Sequence, residues 1–165
     1  MDTFKEQIVK IRRTRSSFYL SALVWFLAMA LTTVLLMIIP TLAVLIAFLL
    51  FYGSMNITQR FNIEYEYILT NGELDVDKIV AQRSRTRLFT IKCADIEAVG
   101  KYIKGMKLSE NGTVYICCNE DDENAYFFRA RDTKGKAICI VMAPDEKMIN
   151  AIKPYLSRII QRDLV

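Results

Sequence analysis

Positions 16–59 hold no charged residue; between Arg15 and Arg60 the chain is built from apolar, hydroxyl and small residues, with Pro40 near the middle and the amides Asn56 and Gln59 at the end. A helix in a water-soluble globule keeps one face polar, and nothing here could supply that face. Lipid is the solvent that suits such a tract, so a purely soluble globule is excluded. As one helix, residues 18–57 would stretch ~60 Å, about twice the hydrocarbon thickness of a bilayer. Tilt absorbs an excess of a few residues, not a doubling. Pro40 followed by Thr41 is the strong breaker near the midpoint. The tract therefore predicts two spans, about 17–39 and 41–57, with a tight turn at Ile39, Pro40 and Thr41. Ala43 and Ala47 form a small-xxx-small pair of the kind that packs helix on helix. A cleaved signal peptide ending near Ala28-Met29-Ala30 is the competing reading, but apolar residues run straight past it without a polar cleavage region.

The flanks set an expected orientation. Lys5, Lys10, Arg12, Arg13 and Arg15 precede the first span, and the turn between the spans carries no charge. The positive-inside tendency keeps the N-terminus in the cytoplasm, and two crossings return the chain to the same side. Tyr19 and Tyr52 then fall at the same end of the hairpin, where amphipathic rings favour the headgroup level. The expected organisation is a basic juxtamembrane segment (1–16), a transmembrane helical hairpin (17–57) and a cytoplasmic domain (58–165), in a multi-pass protein of the cell membrane. Phe4, Ile8 and Ile11 interleave with the five cations, which suits a short basic amphipathic helix on an anionic leaflet. Lys5, Lys10, Arg12, Arg13 and Arg15 are thus candidate membrane-surface contacts. The plainer alternative is that they only fix topology.

From residue 61 the period changes to two. Ile63, Tyr65, Tyr67 and Leu69 alternate with Asn62, Glu64, Glu66 and Ile68, the pattern of a half-buried strand. Asn71-Gly72 is the preferred two-residue hairpin turn, since both central positions need positive φ, and a second strand with Leu74 and Val76 follows. Further strands are expected at about 85–91, 94–99, 113–118, 124–131 and 137–142. Gly100, Gly105, Asn111-Gly112, the acidic run Glu120 to Glu123, and Gly135 separate them. Pro144, Asp145 and Glu146 mark a helix start. Met148, Ile149, Ile152, Tyr155, Leu156, Ile159 and Ile160 form an apolar stripe at helical spacing, which Pro154 must kink or divide. The fold class expected is α+β: a two-helix transmembrane hairpin, then a pleckstrin-homology-like (PH-like) seven-stranded antiparallel partly open barrel or sandwich, capped by a C-terminal helix.

The run Tyr65-Glu66-Tyr67-Ile68-Leu69-Thr70-Asn71-Gly72-Glu73-Leu74-Asp75-Val76 resembles the first hairpin of bacterial PH-like domains attached to small membrane proteins. In that group a membrane hairpin precedes a strand reading Tyr-x-Leu-Thr, a turn, a second strand and Arg-rich residues. The resemblance covers the architecture of 1–165 and implies fold and location more than activity. Lipid-binding PH domains usually hold phosphates with basic residues in a longer first hairpin loop. The two-residue turn and the acids Glu73, Asp75 and Asp77 depart from that pattern.

Residue types narrow the chemistry. The chain has no histidine, which removes Ser-His-Asp and Cys-His catalysis and His-based metal sites. A zinc site would need all four cysteines, Cys93, Cys117, Cys118 and Cys139, yet the neighbours Cys117 and Cys118 would point to opposite strand faces. Free thiols acting as small core hydrophobes in a reducing compartment is the simpler expectation. Glu73, Asp75 and Asp77, and the run Glu120 to Glu123, match no calcium loop and read as solvated acids. No cofactor is expected. Arg83, Arg85 and Arg87 alternate with Ser84 and Thr86, so three guanidiniums could line one strand face and contact an anionic headgroup or an acidic partner. A charged strand edge that discourages aggregation is the competing account. Residues 60–165 are otherwise close to neutral, which disfavours nucleic acid. The leading expectation is a non-enzymatic, membrane-anchored PH-like module that scaffolds or binds a protein partner, or a second copy of itself, at the inner membrane surface. Direct binding of anionic lipid headgroups is the alternative, and an enzyme is the least supported class.

Overall fold

The computed structural model describes residues 3–108, 112–133 and 135–162. The element order is β1 (Phe4–Lys10), α1 (Arg15–Ile38), α2 (Pro40–Gln59), β2 (Ile63–Thr70), β3 (Glu73–Val80), β4 (Ser84–Lys92), β5 (Ile96–Lys101), β6 (Thr113–Ile116), β7 (Tyr126–Arg131), β8 (Ala137–Met142) and α3 (Glu146–Ile152). The described residues divide into two compact units, a helical one from Arg12–Ile63 with Val80–Ser84, and a β-rich one from Met1–Ile11, Glu64–Ile79 and Arg85–Val165.

In the helical unit, α1 and α2 are each long and apolar enough to cross a membrane and fit a transmembrane hairpin. Ile39 alone separates them, and Pro40 takes the first position of α2. Proline fits there because its missing N–H is one that a first turn leaves without a helical partner. Ser21 and Ala28 of α1 and Ala43 and Ser54 of α2 are buried, so small side chains let the two backbones approach. Ser21, Thr32 and Ser54 return their hydroxyls to carbonyls four residues back, so these three donors are satisfied within their own helices.

The β-rich unit is α+β, with two four-stranded sheets in the orders β1-β2-β3-β4 and β5-β7-β8-β6. They share one core, in which Tyr67, Leu69, Leu74, Val76, Phe89 and Ile91 meet Val99, Phe128, Ile140 and Met142. Met148, Ile152, Leu156 and Ile160 from the C-terminal segment complete it. Asn71 (φ 48°) and Gly72 (φ 87°) form the expected tight turn between β2 and β3. Asp145 caps α3 by accepting a hydrogen bond from the Met148 amide at 2.6 Å, and the helix ends before Pro154, which sits in a single 3-10 turn, Lys153–Tyr155. Pro144 therefore lies one residue before the cap rather than inside the first turn.

Three sequence expectations change. The segment expected as a basic amphipathic helix is a strand: β1 pairs antiparallel with β2 along its whole length, from Phe4 opposite Thr70 to Lys10 opposite Glu64. The spacing of Phe4, Ile8 and Ile11 is compatible with a helix, but an edge of β2 offers a full ladder of backbone hydrogen bonds, and Val9 gains the core. The strands number eight among the described residues, not seven, because β1 joins the first sheet. Finally, the second sheet is mixed. β6 runs parallel to β8, with Thr113 opposite Ile138 and Ile116 opposite Val141, where an all-antiparallel domain is expected. The long connection from Lys101 to Thr113 allows that reversal. Asn111 of the expected Asn111-Gly112 turn lies outside the described residues.

Candidate functional site

The first sheet carries its charge on the outward face. Register places Glu6, Ile8 and Lys10 of β1 beside Ile68, Glu66 and Glu64 of β2, while Gln7 and Val9 turn inward with Tyr67 and Tyr65. On β3, Leu74 and Val76 are core residues, so Asp75 and Asp77 face outward. Strict alternation along β4 would put Arg85 and Arg87 on the side of Phe89 and Ile91. Their guanidiniums instead reach outward acids, and Thr90 donates to Asp75 as well. The two-residue period is thus not kept across Leu88.

Arg87 is held twice. Its Nε donates to Asp77 Oδ1 at 2.9 Å and its Nη1 lies 2.7 Å from Asp75 Oδ2. The hydrogen bond that Arg87 donates to Asp77 and the charges of both acids raise the guanidinium pKa further. Arg85 pairs with Glu66 through Nη2, with its Nε 3.9 Å from Asp77 Oδ2. Lys10 lies 3.7 Å from Glu64. Asp77 is 3% exposed and Glu66 1%, although both sit on the outward face. The reading of Asp75 and Asp77 as simple solvated acids is therefore corrected, because Arg85 and Arg87 fold over them. Burial pushes the Glu66 carboxyl above its ordinary range, and the neighbouring Glu6 carboxyl adds to the rise.

The triplet expected to line one face is thus split. Arg85 and Arg87 are taken up by internal acids, while Arg83 belongs to the helical unit, in the turn Val80–Ser84. In that turn Ala81 (φ 57°) and Gln82 (φ 56°) are both left-handed without being glycine, which costs about 1–2 kcal/mol each. The Ala81 amide donates to the Asn62 carbonyl at 2.9 Å, and Arg13 Nε donates to the Asn62 side chain at 2.8 Å. Arg83 and Arg60 line one cleft of about 420 Å³ with Asn56, Gln59 and Ser84. Arg60 was not singled out by sequence reasoning, although it is the first charge after the silent tract. Of the remaining candidates, Lys5 and Lys10 lie exposed on β1, Arg12 follows β1, and Arg15 opens α1.

All four cysteines are free and buried, as expected. Cys93 and Cys117 enter the main core, while Cys118 and Cys139 join Leu108, Ala125, Val141 and Ala143 in a second cluster on the other side of the second sheet. Burial pushes the Cys93, Cys117 and Cys118 thiols up to about 12, and raises Cys139 as well. Thiols in that range stay protonated near neutral pH and are poor nucleophiles. Among the described residues no group of three or more Cys, Asp or Glu side chains is placed to hold a metal ion. The arrangement can do two things chemically: lock the β2–β3–β4 face by ion pairing, and present unpaired arginines at the end of α2.

No curated protein and no solved structure matches the chain. A family model does, over residues 1–162, and PH-like domains are typically non-enzymatic. The matched range takes in both apolar helices, all eight described strands and α3. The chain belongs to the bacterial PH-like domain family DUF6106.

Proposed function

We propose that the protein is a non-catalytic binding module of the cell membrane, anchored by α1 and α2 as a transmembrane hairpin with both termini in the cytoplasm. The β-rich unit then holds a protein partner at the inner face. The observation that carries this reading is the direct run from a charge-free span into the sheet: only Arg60, Phe61 and Asn62 lie between α2 and β2. A domain held so tightly to the bilayer meets other membrane components at a raised effective concentration, so a weak contact suffices. The cations before α1 support the orientation.

The partner contact we assign is the free edge of β6. β6 is the last strand of its sheet, and Tyr115 packs inward against Phe89, with ring centroids 4.9 Å apart. Val114 and Ile116 point the other way and are exposed. An edge strand with outward aliphatic side chains accepts an added strand, with backbone bonds for affinity and the side chains for selectivity. Photocrosslinking groups placed at Val114, Ile116 and, as a control, the exposed Lys104 test this in native membranes. A discrete protein adduct from the two β6 positions and not from Lys104 is expected. Adducts with lipid only, or the same products from all three positions, would refute it.

A further inference from the structure

The helical unit has an unusual charge inventory: Arg12, Arg13, Arg15, Arg60 and Arg83, and no acid. Neither Arg60 nor Arg83 has an acidic partner among the described residues, yet both line the same cleft, beside the amide side chains of Asn56 and Gln59 and the hydroxyl of Ser84. Like charges brought together without a counterion, next to hydrogen-bond donors, make a site for a phosphate.

A second feature lies on the same helix. Trp25, Leu45, Phe48, Leu49, Tyr52 and Met55 line an apolar groove of about 600 Å³, with Phe51 against Trp25 at 5.8 Å. Leu45, Leu49, Tyr52, Asn56 and Gln59 follow one another at three- and four-residue steps, so groove and cleft share one face of α2. From Leu45 to Met55 the helix rises ~15 Å, which is the depth of one leaflet's hydrocarbon. Apolar side chains give way to amides and then to arginines where that depth ends.

We propose that this face of α2 is a binding site for one anionic phospholipid, its phosphate in the Arg60–Arg83 cleft and an acyl chain in the groove at Trp25 and Tyr52. The site goes beyond partner binding and rests on the hairpin spanning the bilayer. The left-handed turn at Ala81 and Gln82 has a role here, since it holds Arg83 at the cleft that Arg60 lines.

Trp25, the sole tryptophan, reports on the groove. The full chain is reconstituted in phosphatidylcholine vesicles with equal mole fractions of brominated phosphatidylglycerol or brominated phosphatidylcholine, and quenching of Trp25 is compared. A preference for the anionic lipid of roughly five- to thirty-fold is expected from two arginines near the surface. It should vanish in the double variant Arg60→Gln, Arg83→Gln and survive in Arg60→Lys, Arg83→Lys, which keeps the charge. Inorganic phosphate at millimolar concentration should not displace the brominated lipid; displacement would make the cleft a site for free anions and overturn the lipid assignment. Equal quenching by both lipids in incorporated protein would overturn the site alone. Quenching by neither, with protein released by alkaline carbonate, would overturn the membrane reading beneath it.

Discussion

Replacing Asp77 by Asn and Arg87 by Gln, singly and together, decides whether Arg87 is a structural cation or one available to a ligand. Arg87 meets Asp77 at 2.9 Å and Asp75 at 2.7 Å; the Asp77 side chain is 4% exposed and that of Arg87 50%. A fully exposed pair is worth about 0.2–1 kcal/mol, and stripping one partner from a fully buried pair costs about 3–5 kcal/mol. One buried acid under a half-exposed arginine falls between them, so a coupling of about 1–2 kcal/mol is expected, or roughly 5–30-fold in the opening equilibrium. Asp77→Asn leaves Arg87 its second arm on Asp75, which keeps the cycle on a single contact. The buried thiols Cys93, Cys117 and Cys118 are the reporters: a thiol reagent reaches them only when the β-rich unit opens, and when reclosing is fast the labelling rate tracks that equilibrium. In detergent-solubilised full-length protein each single variant should label faster. The double variant should label more slowly than the product of the two effects predicts, by that coupling factor. Effects that simply multiply would refute the reasoning and return Arg87 to the pool of free cations.

Glu66 gives a pH dependence of defined sign. Its carboxyl is raised above the ordinary 4.5, so between that value and the native one the folded state binds more protons than the unfolded. This contribution to stability is complete below 4.5 and is lost as pH rises through the native value; Glu66→Gln should flatten the decline in urea midpoint followed by far-UV circular dichroism. Gly72→Ala should destabilise the β-rich unit by about 2–3 kcal/mol, since φ is 87° and the new Cβ would lie 2.6 Å from the Tyr155 ring. Adding Tyr155→Ala should relieve the clash but not the backbone strain, and a Gly72→Ala variant as stable as the parent in urea contradicts this. In the folded protein at pH 8 none of the four thiols should react stoichiometrically with iodoacetamide within minutes, because burial both shields them and keeps them protonated. Rapid modification of any one, read by intact mass, counts against the packing of the β-rich unit around that thiol.

What could be read in the sequence was what local physics dictates. The silent tract broken at Pro40 gave the two helices, because no polar face exists for water. Asn71-Gly72 gave the first hairpin, because two consecutive positive φ angles are affordable there. The Arg83, Arg85, Arg87 alternation was visible too, but its meaning was not: whether a guanidinium is free depends on acids from β2 and β3 that only the folded sheet brings under it. β1 escaped for a related reason. A short charged segment with Phe4, Ile8 and Ile11 satisfies a helical spacing, and what makes it a strand is the unpaired edge of β2, some sixty positions further along. The parallel β6 was equally invisible, since its direction is set by a connection whose sequence carries no hydrophobic period. The Arg60–Arg83 cleft illustrates the boundary most sharply. Arg60 alone reads as the end of a span and Arg83 alone as one of three alternating cations. The left-handed turn at Ala81 and Gln82, anchored to Asn62, is what makes them neighbours, and neither residue there announces positive φ in the sequence as Asn71-Gly72 does. A strained turn without glycine persists only where surrounding contacts hold it, and here those contacts run to the residues that follow α2.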